Sequence, residues 1–198
     1  MVTWPRRTVS RLALVVCMGL AAPGTGATAV AQAPAFTGED GGCANAGNNA
    51  EILGLAALRA SFLCLINVQR DASALPAVIG DVRLRRSADA YSRDMVVRQF
   101  FGHRSPPPGV GTLPVRVKRG GYLKRARRWS IGEALAYSTV DVTSLDLFTA
   151  LMNSPSHRAI ILGSRFRRVG VGLRRGVPNG ADAGLTVTLH LGVVSVRR

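Results

Sequence analysis

His103, His157 and His190 are the three histidines of the chain, and Glu133 is its one glutamate beyond residue 51. Imidazoles and a carboxylate are the groups that hold a divalent cation or pass a proton near neutrality. In Ser154-Pro155-Ser156-His157-Arg158-Ala159-Ile160-Ile161-Leu162, Ser154 suits a helix N-cap and Pro155 the first helical position. His157 then falls in the first turn, where the positive end of the helix dipole favours the neutral ring. His103 stands in Phe101-Gly102-His103-Arg104-Ser105, just before a Pro-rich stretch, and Glu133 follows a glycine with aliphatic residues around it. His190 alternates with Leu189 and Leu191 and shares a side with Thr186 and Thr188, so it reads as an ordinary strand histidine rather than a third ligand. Ser105 reads as a loop brace. The chain carries no HExxH helix, nucleophile elbow or convincing Ser-His-Asp set. Glu133 is therefore the one candidate base, should the chain hydrolyse anything.

These residues need elements to position them. Leu55, Leu58, Phe62, Leu65 and Ile66 recur at three- and four-residue spacing and predict a helix over 51–70 with one apolar stripe. A second helix is expected over 81–100, burying Leu84, Ala88, Tyr91 and Met95. A short third spans 113–119 and stops at Gly120-Gly121. Residues 129–133 read as a short strand or extended edge. Ser144 can cap a helix presenting Leu145, Phe148, Leu151 and Met152. After the His157 helix, residues 168–174 and 185–194 form a hairpin through Gly176-Val177-Pro178-Asn179-Gly180. The order gives an α+β fold, with helices covering a small, mostly antiparallel sheet in one domain.

Arg6, Arg7 and Arg11 precede an apolar run over 12–22, and small residues close the region near Ala31 and Ala33. That is the pattern of a secretory leader over residues 1–33, too short and interrupted to be a membrane anchor, and it implies a secreted, extracellular protein. Residues 34–50 read as an irregular arm and 51–198 as the folded domain. Cys43 and Cys64 remain after the leader, and an even pair in an oxidising compartment favours a disulfide. Cys64 points away from the apolar stripe and is free to staple the arm to the helix.

The chain carries a net charge of +15, and setting aside the three leader arginines leaves +12. Such a surface attracts anionic polymers or lipid. The arginines are scattered, with no aromatic-interleaved patch for stacking bases, so specific nucleic-acid binding is not expected.

Five segments, in order, resemble the secreted bacterial members of the CAP superfamily: the cysteine-rich secretory, antigen 5 and pathogenesis-related 1 proteins. Leu63-Cys64-Leu65-Ile66-Asn67-Val68-Gln69-Arg70 is similar to the family's first-helix signature. Phe101-Gly102-His103-Arg104-Ser105 resembles its first histidine motif, Gly132-Glu133-Ala134 its Gly-Glu-Asn motif, and Asn153 to Leu162 its second histidine motif. Phe166-Arg167-Arg168-Val169-Gly170-Val171-Gly172 resembles the strand that follows. The resemblance implies a three-layer α-β-α sandwich and a cleft holding His103, His157 and Glu133. It also implies weak uptake of Zn2+ or another divalent cation by the two histidines, and an apolar, lipid-like ligand. The chain departs from the pattern where Ala134 replaces Asn and where Leu151 and Met152 stand in place of a second acid and a Trp. With one glutamate, the reading is a non-enzymatic binding module. The alternatives are a metal-assisted hydrolase of peptide or cell-wall material, and a cationic protein docking on an anionic surface component.

Overall fold

A computed structural model of the chain describes residues 15–18, 41–139, 142–180 and 183–196. Most of the expected leader lies outside the described residues. Its residues Val15–Met18 form strand β1, which pairs antiparallel with later residues, Val15 opposite Ser138 and Met18 opposite Leu135.

Helix α1 runs Leu55–Asp71 and buries Leu58, Phe62, Leu65 and Ile66, as the stripe requires. Cys64 is joined to Cys43, with Cα atoms 5.7 Å apart, which folds the arm back across the helix. The Ser61 hydroxyl donates to the Ala44 carbonyl at 2.8 Å and seats the arm further. The polar residues of this helix also hold distant backbone. Asn67 donates from its side-chain amide to the Val78 carbonyl and accepts from the Val78 amide, at 3.1 and 2.9 Å. Arg70 is fully buried. Its guanidinium donates to the carbonyls of Pro76, Ile161, Gly163 and Phe166, so one donor fork ties together four carbonyls from two separate stretches of chain.

The two-residue strand β2 (Ile79–Gly80) leads into helix α2 (Val82–Val97), capped by the Asp81 side chain. Leu84, Ala88, Tyr91 and Met95 are buried. The helix ends three residues short of the expected boundary because Gln99 takes a left-handed backbone, φ 53°. Helix α3 spans Leu113–Arg119.

Strand β3 covers Arg128–Ser138, eleven residues rather than a short edge. Its residues 132–136 are buried without alternation, the signature of a strand covered on both faces. Helix α4 (Ser144–Asn153) is capped by Thr143, not Ser144: Thr143 and Asp146 form a reciprocal capping box. Helix α5 (Pro155–Ile161) carries the second histidine motif. Ser154 occupies its N-cap position, but the side chain makes no capping bond and lies 3.1 Å from the Ser156 hydroxyl.

Strands β4 (Arg168–Arg175) and β5 (Leu185–Ser195) complete a sheet of order β1-β3-β5-β4-β2, antiparallel except for the β2–β4 pair. Helices α1, α4 and α5 cover one face and α2 with α3 the other. This is the expected three-layer α-β-α sandwich. Close approach of α2 to the sheet depends on Gly170 and Gly172, where a β-carbon would meet backbone atoms of Leu84 and Ala88 at 2.2 and 2.1 Å. Among the described residues no helix is long and apolar enough to cross a membrane.

Candidate functional site

The site is built where β3 passes between the two helical layers. His103 arrives from the loop after α2, Glu133 from the centre of β3, and His157 from the first turn of α5. All three line one cleft of about 390 Å³, with Leu113, Ile131 and Ile160 among its walls. The structure thus brings together the three residues singled out in the sequence. His157 is buried and His103 partly exposed.

Glu133 is the hub. Its Oε1 accepts from His103 Nδ1 at 2.8 Å, and its Oε2 accepts from His190 Nε2 at 2.7 Å and Arg116 Nη2 at 2.5 Å. The alternation along its strand marks His190 as an ordinary strand residue. Instead it sits directly opposite Glu133 in the β3–β5 register and is completely buried. It is a polar partner of the site, with its ring nitrogen turned to the carboxylate rather than toward a ligand.

Arg116, from α3, is the member that sequence reasoning missed. Its guanidinium is buried, lies 3.4 Å from the centre of the Tyr91 ring, and donates to the His103 and Gly111 carbonyls as well as to Glu133. It therefore fixes both the carboxylate and the backbone that presents His103. The Tyr91 hydroxyl donates to the Gly102 carbonyl next door. Ser105 braces the same loop, donating to Asp94 and accepting from Arg98 and the Val110 amide.

Burial by itself would raise the Glu133 carboxyl. The hydrogen bonds from His103 and His190 and the adjacent Arg116 charge outweigh it and hold the group at about 2. In His190, burial pushes the imidazole below the ordinary value of 6.5, only partly offset by Glu133. Both shifts mean that the unfolded chain binds more protons than the folded one, for His190 below about 6.5 and for Glu133 below about 4.5. Stability should therefore be complete above pH 6.5 and fall steadily toward pH 2. Urea midpoints measured between pH 7.5 and 3 check this; a flat profile would contradict the buried hub.

The donor set limits what metal the cleft could hold. Both Glu133 oxygens are occupied by donors within the protein, and among the described residues no three His, Cys, Asp or Glu side chains are placed to hold an ion. Among the described residues that line the cleft, the imidazoles of His103 and His157 are the remaining donors. Glu133 binds the Nδ1 proton of His103, which makes Nε2 the basic nitrogen of the neutral ring.

A sheet between two helical layers, with a histidine–glutamate cleft at its margin, defines the class of protein. The chain belongs to the cysteine-rich secretory protein (CAP) family, whose sequence pattern it matches over residues 63–189. It is 33% identical over 108 residues to the uncharacterized protein YkwD of Bacillus subtilis (strain 168), a match covering 54% of this chain and 39% of that protein. Among solved structures it is similar to an extracellular protein containing an SCP domain from Bacillus anthracis, with a TM-score of 0.53 and 21% identity. That match covers 74% of this chain and 44% of the other. It is also similar to an outer surface protein from Borrelia burgdorferi, with a TM-score of 0.57 and 16% identity, covering 72% of this chain and 97% of the other. At these identities the structural matches establish the fold. The chain spans less than half the length of YkwD and of the B. anthracis protein.

Proposed function

We propose that this chain is a secreted, non-enzymatic binding module whose cleft takes a divalent cation weakly on His103 and His157 and an apolar, lipid-like ligand along Leu113, Ile131 and Ile160. The observation that carries this reading is the commitment of Glu133. A carboxylate held at about 2 by three donors is a poor proton acceptor near neutrality, where a general base should titrate. Its role is to orient His103, not to activate water. Zn2+, when bound, would supply a Lewis-acid centre; the protein's part is to hold two neutral imidazoles in a cleft with apolar walls. The leader-like start and the extracellular and surface relatives support export.

Zinc titration of the wild type and of a His103→Ala/His157→Ala variant tests the cation site. Weak, saturable uptake by the wild type and its loss in the variant are expected; equal uptake by both would refute it. The apolar site is checked by displacement of a fluorescent fatty acid from the wild type and from Ile160→Glu, whose charge should abolish binding. Chelator-sensitive hydrolysis that disappears in Glu133→Gln would favour the hydrolase alternative.

A further inference from the structure

The segment 118–128 stands apart from the rest of the basic surface. It holds Lys118, Arg119, Lys124, Arg125, Arg127 and Arg128, six cations in eleven residues without an acidic one, and the chain's two lysines are both among them. All six are exposed, and none makes an ion pair among the described residues. The fold then adds apolar surface to this charge. Trp129 follows directly and is 48% exposed, a large ring left in solvent at the start of β3. It pairs across the sheet with Val194, and Val196 just beyond is 57% exposed.

A groove of about 560 Å³ opens between the two kinds of surface, lined by Arg83, Tyr122, Lys124, Arg125, Val194 and Val196. The Arg83 guanidinium lies 5.2 Å over the Tyr122 ring and is engaged by Asp81 at 2.7 Å, so Lys124 and Arg125 are the groove's uncompensated charges. The Tyr122 hydroxyl is buried and finds no hydrogen-bond partner among the described residues.

We infer that this end of the molecule docks on an anionic phospholipid surface, with a headgroup phosphate between Lys124 and Arg125 and with Trp129 and Val196 in the interfacial layer. Uncompensated cations alone would suit any phosphate polymer. The adjoining exposed Trp and Val are what a bilayer interface rewards, since an indole is most stable with its apolar body in lipid and its N–H at the headgroups. Placement gives the docking a purpose. Trp129, Ile131 and Glu133 alternate along one side of β3, so the docked rim lies two strand steps from the cleft wall at Ile131. A lipid-like ligand would then have a short path from membrane to cleft, although the docking does not depend on any ligand binding there.

The test is flotation with vesicles of phosphatidylcholine alone and of phosphatidylcholine with about 30% phosphatidylglycerol (a conventional fraction, enough for a strong surface potential). Trp129 emission is read in a Trp4→Phe background. Binding to the anionic vesicles should exceed that to neutral ones and weaken as salt rises from about 0.05 to 0.5 M. It should bring a blue shift of Trp129, and drop about fivefold for each cation removed in Lys124→Gln, Arg125→Gln and Arg127→Gln. These surface positions leave the fold and cleft intact, so a zinc titration that is unchanged in the triple variant separates this result from the cleft reading. Trp129 emission indifferent to vesicles, or binding indifferent to the three substitutions, overturns the proposal. So does salt-sensitive capture of inorganic polyphosphate at equal strength without a shift in Trp129, which would assign the patch to a polymer.

Discussion

Replacing Arg116 by methionine is expected to lower the stability of the folded chain by about 3–5 kcal/mol, the usual cost of removing one partner from a buried ion pair. The substitution keeps the length of the side chain, so little of the loss is packing. It strips Glu133 of its one full positive neighbour among the described residues, leaves a carboxylate buried against two imidazoles, and releases the His103 and Gly111 carbonyls. For a domain of this size the melting temperature should fall by about 6–20 °C, at roughly 2–4 °C per kcal/mol. Differential scanning calorimetry measures it. A double substitution, Arg116→Met with Glu133→Leu, discriminates charge from shape: it should recover much of the loss, because no uncompensated charge remains. If the double variant is as unstable as the sum of the singles, the two residues are not coupled and the hub is only a contact. Zinc uptake supplies a second readout, since Arg116→Met should also weaken binding by freeing the backbone that presents His103.

Loss of the Cys43–Cys64 bond has the next largest expected effect. The bond closes a loop spanning 21 residues, for which chain entropy predicts about 3 kcal/mol of stabilisation. A Cys43→Ala/Cys64→Ala variant should therefore melt roughly 6–12 °C lower. The damage should be local before it is global. Ala46 and Ala50 stay tied at the far end, through the Leu145 amide to the Ala46 carbonyl and the Ala50 amide to the Val142 carbonyl. Amide hydrogen exchange in the variant should accelerate first at residues 43–45 and last at Ala50. Uniform acceleration along the arm would mean that the disulfide, rather than the α4 contacts, is what places the whole segment.

Several of these features are legible without the fold, and the reasons are physical. The stripe on α1 and the buried side of α2 follow from the helical period, which is local information. Cys64 lies off that stripe, so its partnership with Cys43 is legible as well. His103, Glu133 and His157 stand out because each sits in a short motif of its own. Arg116 and His190 do not, because their roles come from register and layer packing. His190 meets Glu133 only when β3 and β5 pair with those two residues opposed, and nothing within either segment specifies that register. The one clue is an inward row of three polar residues, Thr186, Thr188 and His190, on a strand that proves wholly buried over residues 185–192. Strand β3 runs longer than its sequence suggests because its buried centre lacks alternation. The cap of α4 falls one residue from the expected position because Thr143 and Ser144 are both competent, and the Asp146 carboxylate selects the threonine. The basic end at 118–128 is diluted, at the level of composition, by arginines spread through the rest of the chain.

Helix α1 supplies none of the described residues that line the cleft, yet its polar side chains and its cysteine reach far along the chain. Asn67 sets where β2 begins, by copying the hydrogen bonds of a strand neighbour onto Val78. Arg70 sets where α5 must stop, by gripping the carbonyls of Ile161, Gly163 and Phe166. Cys64 sets where the arm turns back. The helix is in effect a jig that takes three measurements of the chain while it folds. His157 stands one helical turn before the second of those marks, so the span between them tolerates no change in length. A residue inserted between His157 and Ile161 would rotate or shift the imidazole relative to that anchor.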